Sequence, residues 1–252
     1  MLTEIALLIV IYVSLIFVLA LIAGDNSIVD IFWGPGFILI ALYSLFQNPE
    51  PDLRKWIVTF LVALWGIRLS VHVFLRNRGR GEDFRYRQWR ENWNFFIVRS
   101  YFQIFLLQGL FMFIIASPVY YINFCSKEPL GFWDTLGLVV FGIGFFFEAV
   151  ADHQLSEFKK KPENKGKIIT TGLWELCRHP NYFGEALIWW GIAFYAMNLP
   201  MGWITLVSPV VITLLLRFVS GVPMLEKKYR GRLDWEEYKR KTAAFVPNVK
   251  FL

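Results

Sequence analysis

In the stretch RHPNYFGEALIWWGIAF, residues 178–194, four groups able to do chemistry stand at the head of an otherwise apolar run: Arg178, His179, Asn181 and Glu185. Pro180 suits a first helical turn, where its missing N–H is not needed. The helix therefore begins here, with free backbone N–H groups and the positive end of its dipole, a place that favours an anion. Asn181 and Glu185 are four residues apart and share a helical face. Amide plus carboxylate suits hydrogen bonding to an amide, an amine or a ribose hydroxyl. A phosphate at the helix start with a neutral polar group beyond it describes a nucleotide. His179 has two readings, a catalytic base or an interfacial hydrogen-bonding residue.

Other ionisable residues fall inside apolar stretches, where each costs at least a few kcal/mol at the bilayer centre. They are Asp30, Arg68, His72, Glu148, Asp152 and Arg217. Arg68 and His72 are four apart, as are Glu148 and Asp152, so each pair forms a stripe on its own helix. Such stripes suit a water-accessible site between helices, or else salt bridges that merely pack a bundle. The sequence holds no recognisable serine triad, Gly-rich dinucleotide loop, Walker loop or zinc pattern, and no metal ligands are assigned.

Of the 252 residues, 56% are hydrophobic and 18% aromatic, and the mean hydropathy is +0.45. That much apolar surface implies an integral membrane protein. A bilayer core of about 30 Å takes roughly 20 helical residues, and seven stretches approach this length: 3–23, 28–47, 56–75, 98–123, 130–151, 183–199 and 201–221. The first lacks the basic flank of a cleaved signal peptide. The second is interrupted by Asp30, Gly34, Pro35 and Gly36. The last two, joined by NLPMG, predict a tight helical hairpin.

Basic residues crowd the connections after the third, fifth and seventh stretches, whereas the alternate loops carry Arg54, Lys55 and Lys127. The positive-inside rule then predicts an all-α bundle of about seven spans with the N-terminus outside and the C-terminus cytoplasmic. The loop RNRGRGEDFRYRQWRENW mixes acids, arginines and aromatic residues, which predicts a folded, paired segment rather than a polybasic tether. Cys125 and Cys177 fall on opposite sides, which argues against a disulfide. One membrane domain accounts for residues 1–252, with substrate-side helices in 1–123 and cofactor-binding helices and tail in 130–252.

Two segments, TGLWELCRHPNYFGEALIWWG and MLEKKYRGRLDWEEYKRKTAAFVP, resemble the C-terminal region of the steroid 5-alpha-reductase family. VDIFWGPGF, LWGIRLSVHVFLRNRGRGEDFRYRQWRE and RFVSGVPMLEKKY extend the resemblance, to that family's bacterial branch, over nearly the whole chain. It implies a seven-helix enzyme that uses NADPH to reduce the carbon–carbon double bond of an enone. Asn181, Tyr182 and Glu185 match the family's N-aromatic-x-G-E motif. Asp152 resembles the family aspartate, Glu148 stands where an asparagine is expected, and Lys159 stands about where the family has an arginine. Arg178 and His179 would join the cofactor site. Tyr229, Tyr238 and Lys241 resemble the tail that closes over the cofactor, although a histidine expected before Tyr229 is missing. Asp30 is nearest to the family's catalytic glutamate. Trp65 occupies the position of its catalytic tyrosine and cannot donate a proton to a carbonyl, which leaves Asp30 alone, Tyr86, or a different reaction.

RHP-x-Y-x-G followed by Glu226 is also similar to membrane methyltransferases of the isoprenylcysteine and phospholipid type, which implies S-adenosylmethionine as the alternative cofactor. A non-enzymatic lipid-binding or transport protein is the third alternative. The expected partners are a sterol-like or isoprenoid substrate and membrane lipids, not nucleic acid, in a bacterial inner membrane, or in the endoplasmic reticulum of a eukaryote.

Overall fold

Backbone approach at small residues sets the helix packing, and the computed structural model describes it for residues 1–48, 50–127 and 129–248. The described chain is all-α, with helices α1 Leu2–Ala23, α2 Trp33–Phe46, α3 Leu53–Asn77, α4 Phe84–Asn92, α5 Phe96–Ile115, α6 Ser117–Cys125, α7 Phe132–Lys160, α8 Pro180–Ala196, α9 Gly202–Lys227 and α10 Leu233–Lys241. Five of them, α1, α3, α5, α7 and α9, are long and apolar enough to cross a bilayer, as expected of an integral membrane protein.

The expected count of seven is not met by helix length. The second stretch breaks at Phe32 into a single turn, Ile28–Ile31, and the 14-residue α2, which at 1.5 Å per residue reaches about 21 Å. α8, with 17 residues, reaches about 26 Å. The fourth stretch also breaks, at Ala116, where Pro118 enters the first turn of α6. Hydropathy registers apolar residues on both sides of such breaks and so reads through them.

The chain divides into two compact units, Met1–Leu130 with Asn198–Thr205, and Gly131–Met197 with Leu206–Leu252. In the first, α2 packs on α3 through Gly34 and Gly66: a Cβ on Gly34 would lie 2.2 Å from the Gly66 carbonyl oxygen. Trp65 is fully buried there, edge-on to Phe37 at 5.4 Å. Buried Arg54 spends its guanidinium on Ser126 Oγ, 2.9 Å, and the Pro129 carbonyl, 2.7 Å.

In the second unit, α7 and α8 run antiparallel with glycines facing at two levels. A Cβ on Gly144 would lie 2.7 Å from the Gly184 oxygen, and one on Gly137 2.7 Å from the Gly191 oxygen. Seven residues separate the glycines on each helix, two turns, so both contacts fall on one seam. Small residues at such a seam let two backbones meet where the surroundings offer no hydrophobic drive.

Candidate functional site

The α7–α8 seam determines what stands beside it. Gly184 lies against the backbone of Glu148, and one turn earlier on α8 Asn181 Nδ2 donates to Asp152 Oδ1 at 3.0 Å. The two expected stripes, Glu148 with Asp152 and Asn181 with Glu185, thus face each other. Asp152 and Glu148 are buried, and Asn181, Tyr182 and Glu185 are half-buried. Asn181 Oδ1 is buried without a hydrogen-bond partner among the described residues.

At the start of α8, Arg178 and His179 converge on one oxygen of Glu226. Oε1 accepts from Arg178 Nε at 2.9 Å and lies 2.9 Å from Nη2. His179 Nε2 is 3.2 Å from the same oxygen, and the Tyr182 ring stacks on the imidazole, 5.7 Å between centroids and 8° from parallel. Arg178 also donates through Nη1 to the Lys239 carbonyl, 3.1 Å, and to that of Thr242. Its backbone N–H donates to Ala243 O at 2.8 Å. The arginine therefore ties the helix start to the C-terminal tail as well as to Glu226. Burial pushes His179 below the ordinary imidazole range. The Glu226 carboxylate opposes this, while Arg178 and Arg217 reinforce it. A neutral ring results, suited to hydrogen bonding. Burial pushes the neighbouring Cys177 thiol up to about 12, which leaves it inert.

Trp235 gathers part of the tail. Its ring lies 5.8 Å from the Arg178 guanidinium carbon, 5.0 Å from Tyr229 and 5.7 Å from Tyr238. The Tyr238 hydroxyl donates to the Trp174 carbonyl, so it holds the tail down. Lys241 is exposed and paired with Glu237 at 2.6 Å, and Lys159 is exposed two turns beyond Asp152. A cavity of about 520 Å³ lies beside α10, lined by Glu175, Asp234 and Glu237 with Tyr238 and Lys241. Three carboxylates make it a poor seat for an anionic nucleotide. Asn181, Glu185 and His179 do not line it.

In the first unit, α4 brings Tyr86 to Asp30. The phenol donates to Oδ1 at 2.6 Å, and Arg85 Nη2 donates to Oδ2 at 2.7 Å. Asp83 caps α4 through the Arg85 N–H, 3.0 Å, and also takes Arg85 Nε at 2.9 Å. Glu82 holds Arg90 at 2.8 and 2.9 Å. The loop is a folded, charge-paired segment, as its composition implied. Burial, with Asp30 alongside, pushes Tyr86 well above the ordinary phenol value, so it is a neutral donor. Burial works against the Arg85 cation, but Asp30 and Asp83 outweigh it and keep the guanidinium charged. Composition marked Arg85 as one basic residue among many; its adjacency to Tyr86 and Asp83 was the available signal for a more specific role.

An all-α membrane protein with an amide–carboxylate edge at a helix start is the class defined by the fold and these residues. Residues 16–242 match the family described as a protein of unknown function, DUF1295, and the chain belongs to that family. It is 30% identical over 199 residues to an uncharacterised protein of Schizosaccharomyces pombe, covering 68% of this chain and 57% of the yeast protein. It is 41% identical over 69 residues to steroid 5-alpha-reductase DET2 of Gossypium hirsutum, 27% of each chain. It is also 38% identical over 71 residues to the probable O-methyltransferase ustE of Ustilaginoidea virens, 26% of this chain and 25% of that one. The chain thus matches little more than half of the yeast relative and about a quarter of the other two. The steroid 5-alpha-reductase-like character expected from the motifs is borne out, and the methyltransferase likeness accompanies it.

Proposed function

We propose that the protein is an NADPH-dependent reductase of an activated carbon–carbon double bond in a hydrophobic, sterol-like or isoprenoid molecule. The observation that carries this reading is the Asn181–Asp152 pair. Asp152 fixes the amide through Nδ2, and Oδ1 is left as a buried acceptor, which complements an N–H donor such as a carboxamide or a ring amine. Similarity to steroid 5-alpha-reductases supports it.

Asn181 and Glu185 would orient a nicotinamide cofactor, with Asp152 holding Asn181 in place. Arg178, His179 and Tyr182 would border it, and Tyr229 would approach through Trp235. When bound, such a cofactor supplies a hydride; the protein's task is positioning. In the first unit Tyr86 is the neutral donor and Asp30 the acceptor that orients it. In this structure the phenol gives its single hydrogen to Asp30 Oδ1; turned from Asp30 to a substrate carbonyl, it would stabilise charge as it develops on oxygen, which is where catalysis gains. Tyr86 thereby takes over the role that Trp65 cannot perform. The basic loops and the tail are assigned to the cytoplasmic side of a bacterial inner membrane, with the N-terminus outside.

A second reading has one observation of its own: Arg178 and His179 of the RHP motif both bind Glu226, the residue that the methyltransferase resemblance sets beside that motif. Thermal-shift titration of the detergent-purified protein separates the two, because a ligand bound by the folded state alone raises stability. Stabilisation by NADPH, abolished in Glu185→Gln while that variant stays folded, supports the reductase. Stabilisation by S-adenosylmethionine alone replaces it with the methyltransferase.

A further inference from the structure

Asn26 is fully buried, 0% exposed, and neither Nδ2 nor Oδ1 of its amide has a hydrogen-bond partner among the described residues. Cores avoid this arrangement because each stranded polar atom has lost water and gained nothing. The amide is not needed to cap the turn it lies in, since the backbone is already satisfied. The Asn26 N–H donates to Glu82 Oε1 at 2.9 Å, and its carbonyl accepts from Val29 N at 3.3 Å.

Its position in the fold is specific. Asn26 and Asp30 are four residues apart in sequence, and so are Glu82 and Tyr86. The Asn26 backbone N–H binds Glu82 while Asp30 binds Tyr86, so the two segments are joined at two points and Asn26 belongs to the segment that meets the Tyr86 phenol. Gln108 of α5 hydrogen-bonds the same phenol. The nearby arginines are engaged: Arg90 is held by Glu82, Arg85 by Asp30 and Asp83, and Arg87 donates to the Glu82 carbonyl. The unmet capacity is a neutral donor and a neutral acceptor.

We propose that Asn26 is a binding residue for a neutral oxygen function, a ketone or a hydroxyl, on a hydrophobic molecule whose polar end lies at Tyr86 and Asp30. An anionic head group is disfavoured there by the carboxylates of Asp30 and Glu82. The inference rests on the reductase reading for placing the substrate at this pair, and adds a residue outside the recognised motifs and the class of group recognised.

The test compares the unaltered protein with Asn26→Leu, similar in volume and without polar atoms. Binding of tritiated progesterone (a neutral enone), geranylgeraniol (a neutral alcohol) and geranylgeranyl diphosphate is measured in detergent, together with NADPH binding and the unliganded melting temperature. The expected result is that both neutral compounds bind at least tenfold more weakly to Asn26→Leu. NADPH affinity is unchanged, and the unliganded melting temperature is unchanged or higher because the stranded amide is gone. Four outcomes overturn the proposal: equal binding of the neutral compounds by both proteins; a melting temperature lowered by several degrees or loss of folding, which gives the amide a structural partner such as an ordered water; binding of the diphosphate alone; or binding of none of the three. If NADPH leaves the unaltered protein unshifted while neutral binding still depends on Asn26, the reductase reading falls and this inference stands.

Discussion

The polar cluster around Tyr86 and that around Asn181 solve the same problem, polar groups in an apolar chain, in opposite ways. In the first, residues 55 and 56 positions apart in sequence are joined, Arg85 and Arg90 meet carboxylates locally, and a neutral phenol and amide remain. In the second, two helices locked by facing glycines place an amide and carboxylates beside the start of α8, while Arg178 anchors the tail. The first cluster is a loop folded over a turn; the second is a consequence of backbone packing. A cluster that offers a neutral phenol and amide suits the polar end of a lipid, and an edge of amide and carboxylates suits a cofactor.

The sharpest way to break the comparison is at the seam. Gly184→Leu would drive a side chain into the backbone of Gly144 and Glu148, each with an atom 2.5 Å from the new Cβ. It is expected to cost about 3 kcal/mol or more, with loss of cofactor binding. Gly142→Leu, where a Cβ meets nothing within 4 Å, should leave the melting temperature nearly unchanged. Equal effects from the two would remove the seam from the account. Next in size is Glu226→Gln, which leaves the buried Arg178 without its anion and should cost about 3 kcal/mol, read as a lower denaturant midpoint.

Tyr86→Phe keeps the ring beside Trp89 and removes the donor. Turnover of an enone should fall about 100-fold with NADPH affinity unchanged; parallel loss of both would make Tyr86 structural. Smallest is the pH effect. The folded protein holds His179 below its ordinary value, so below about pH 6.5 the unfolded chain binds the extra proton. Stability is full above that pH and declines as pH falls towards the folded value. Melting curves between pH 7.5 and 5.5 should show this decline, and His179→Gln should flatten it.

Much of the second cluster was legible in the sequence. Four-residue spacing put Asn181 with Glu185 and Glu148 with Asp152, and Pro180 marked the helix start. Gly137, Gly144, Gly184 and Gly191 carried no signal of their own, because a glycine's role there depends on which helix faces it. Tyr86 was legible as a substitute for Trp65, but its hydrogen bond to Asp30 depends on how α4 folds back, which no periodicity encodes. Asn26 left no trace, since burial of a loop amide is a tertiary property. Hydropathy found the membrane class and overcounted by length, reading through Phe32 and over the short α8.

The central claim is that the Asn181 edge binds a nicotinamide cofactor. The measurement that tests it most directly is the thermal shift of the purified protein and of Asn181→Ala with NADPH, NADH and S-adenosylmethionine. The account predicts that NADPH raises the melting temperature of the unaltered protein and that most of this shift is lost in Asn181→Ala. An undiminished NADPH shift in the variant, or a shift with S-adenosylmethionine alone, would contradict it.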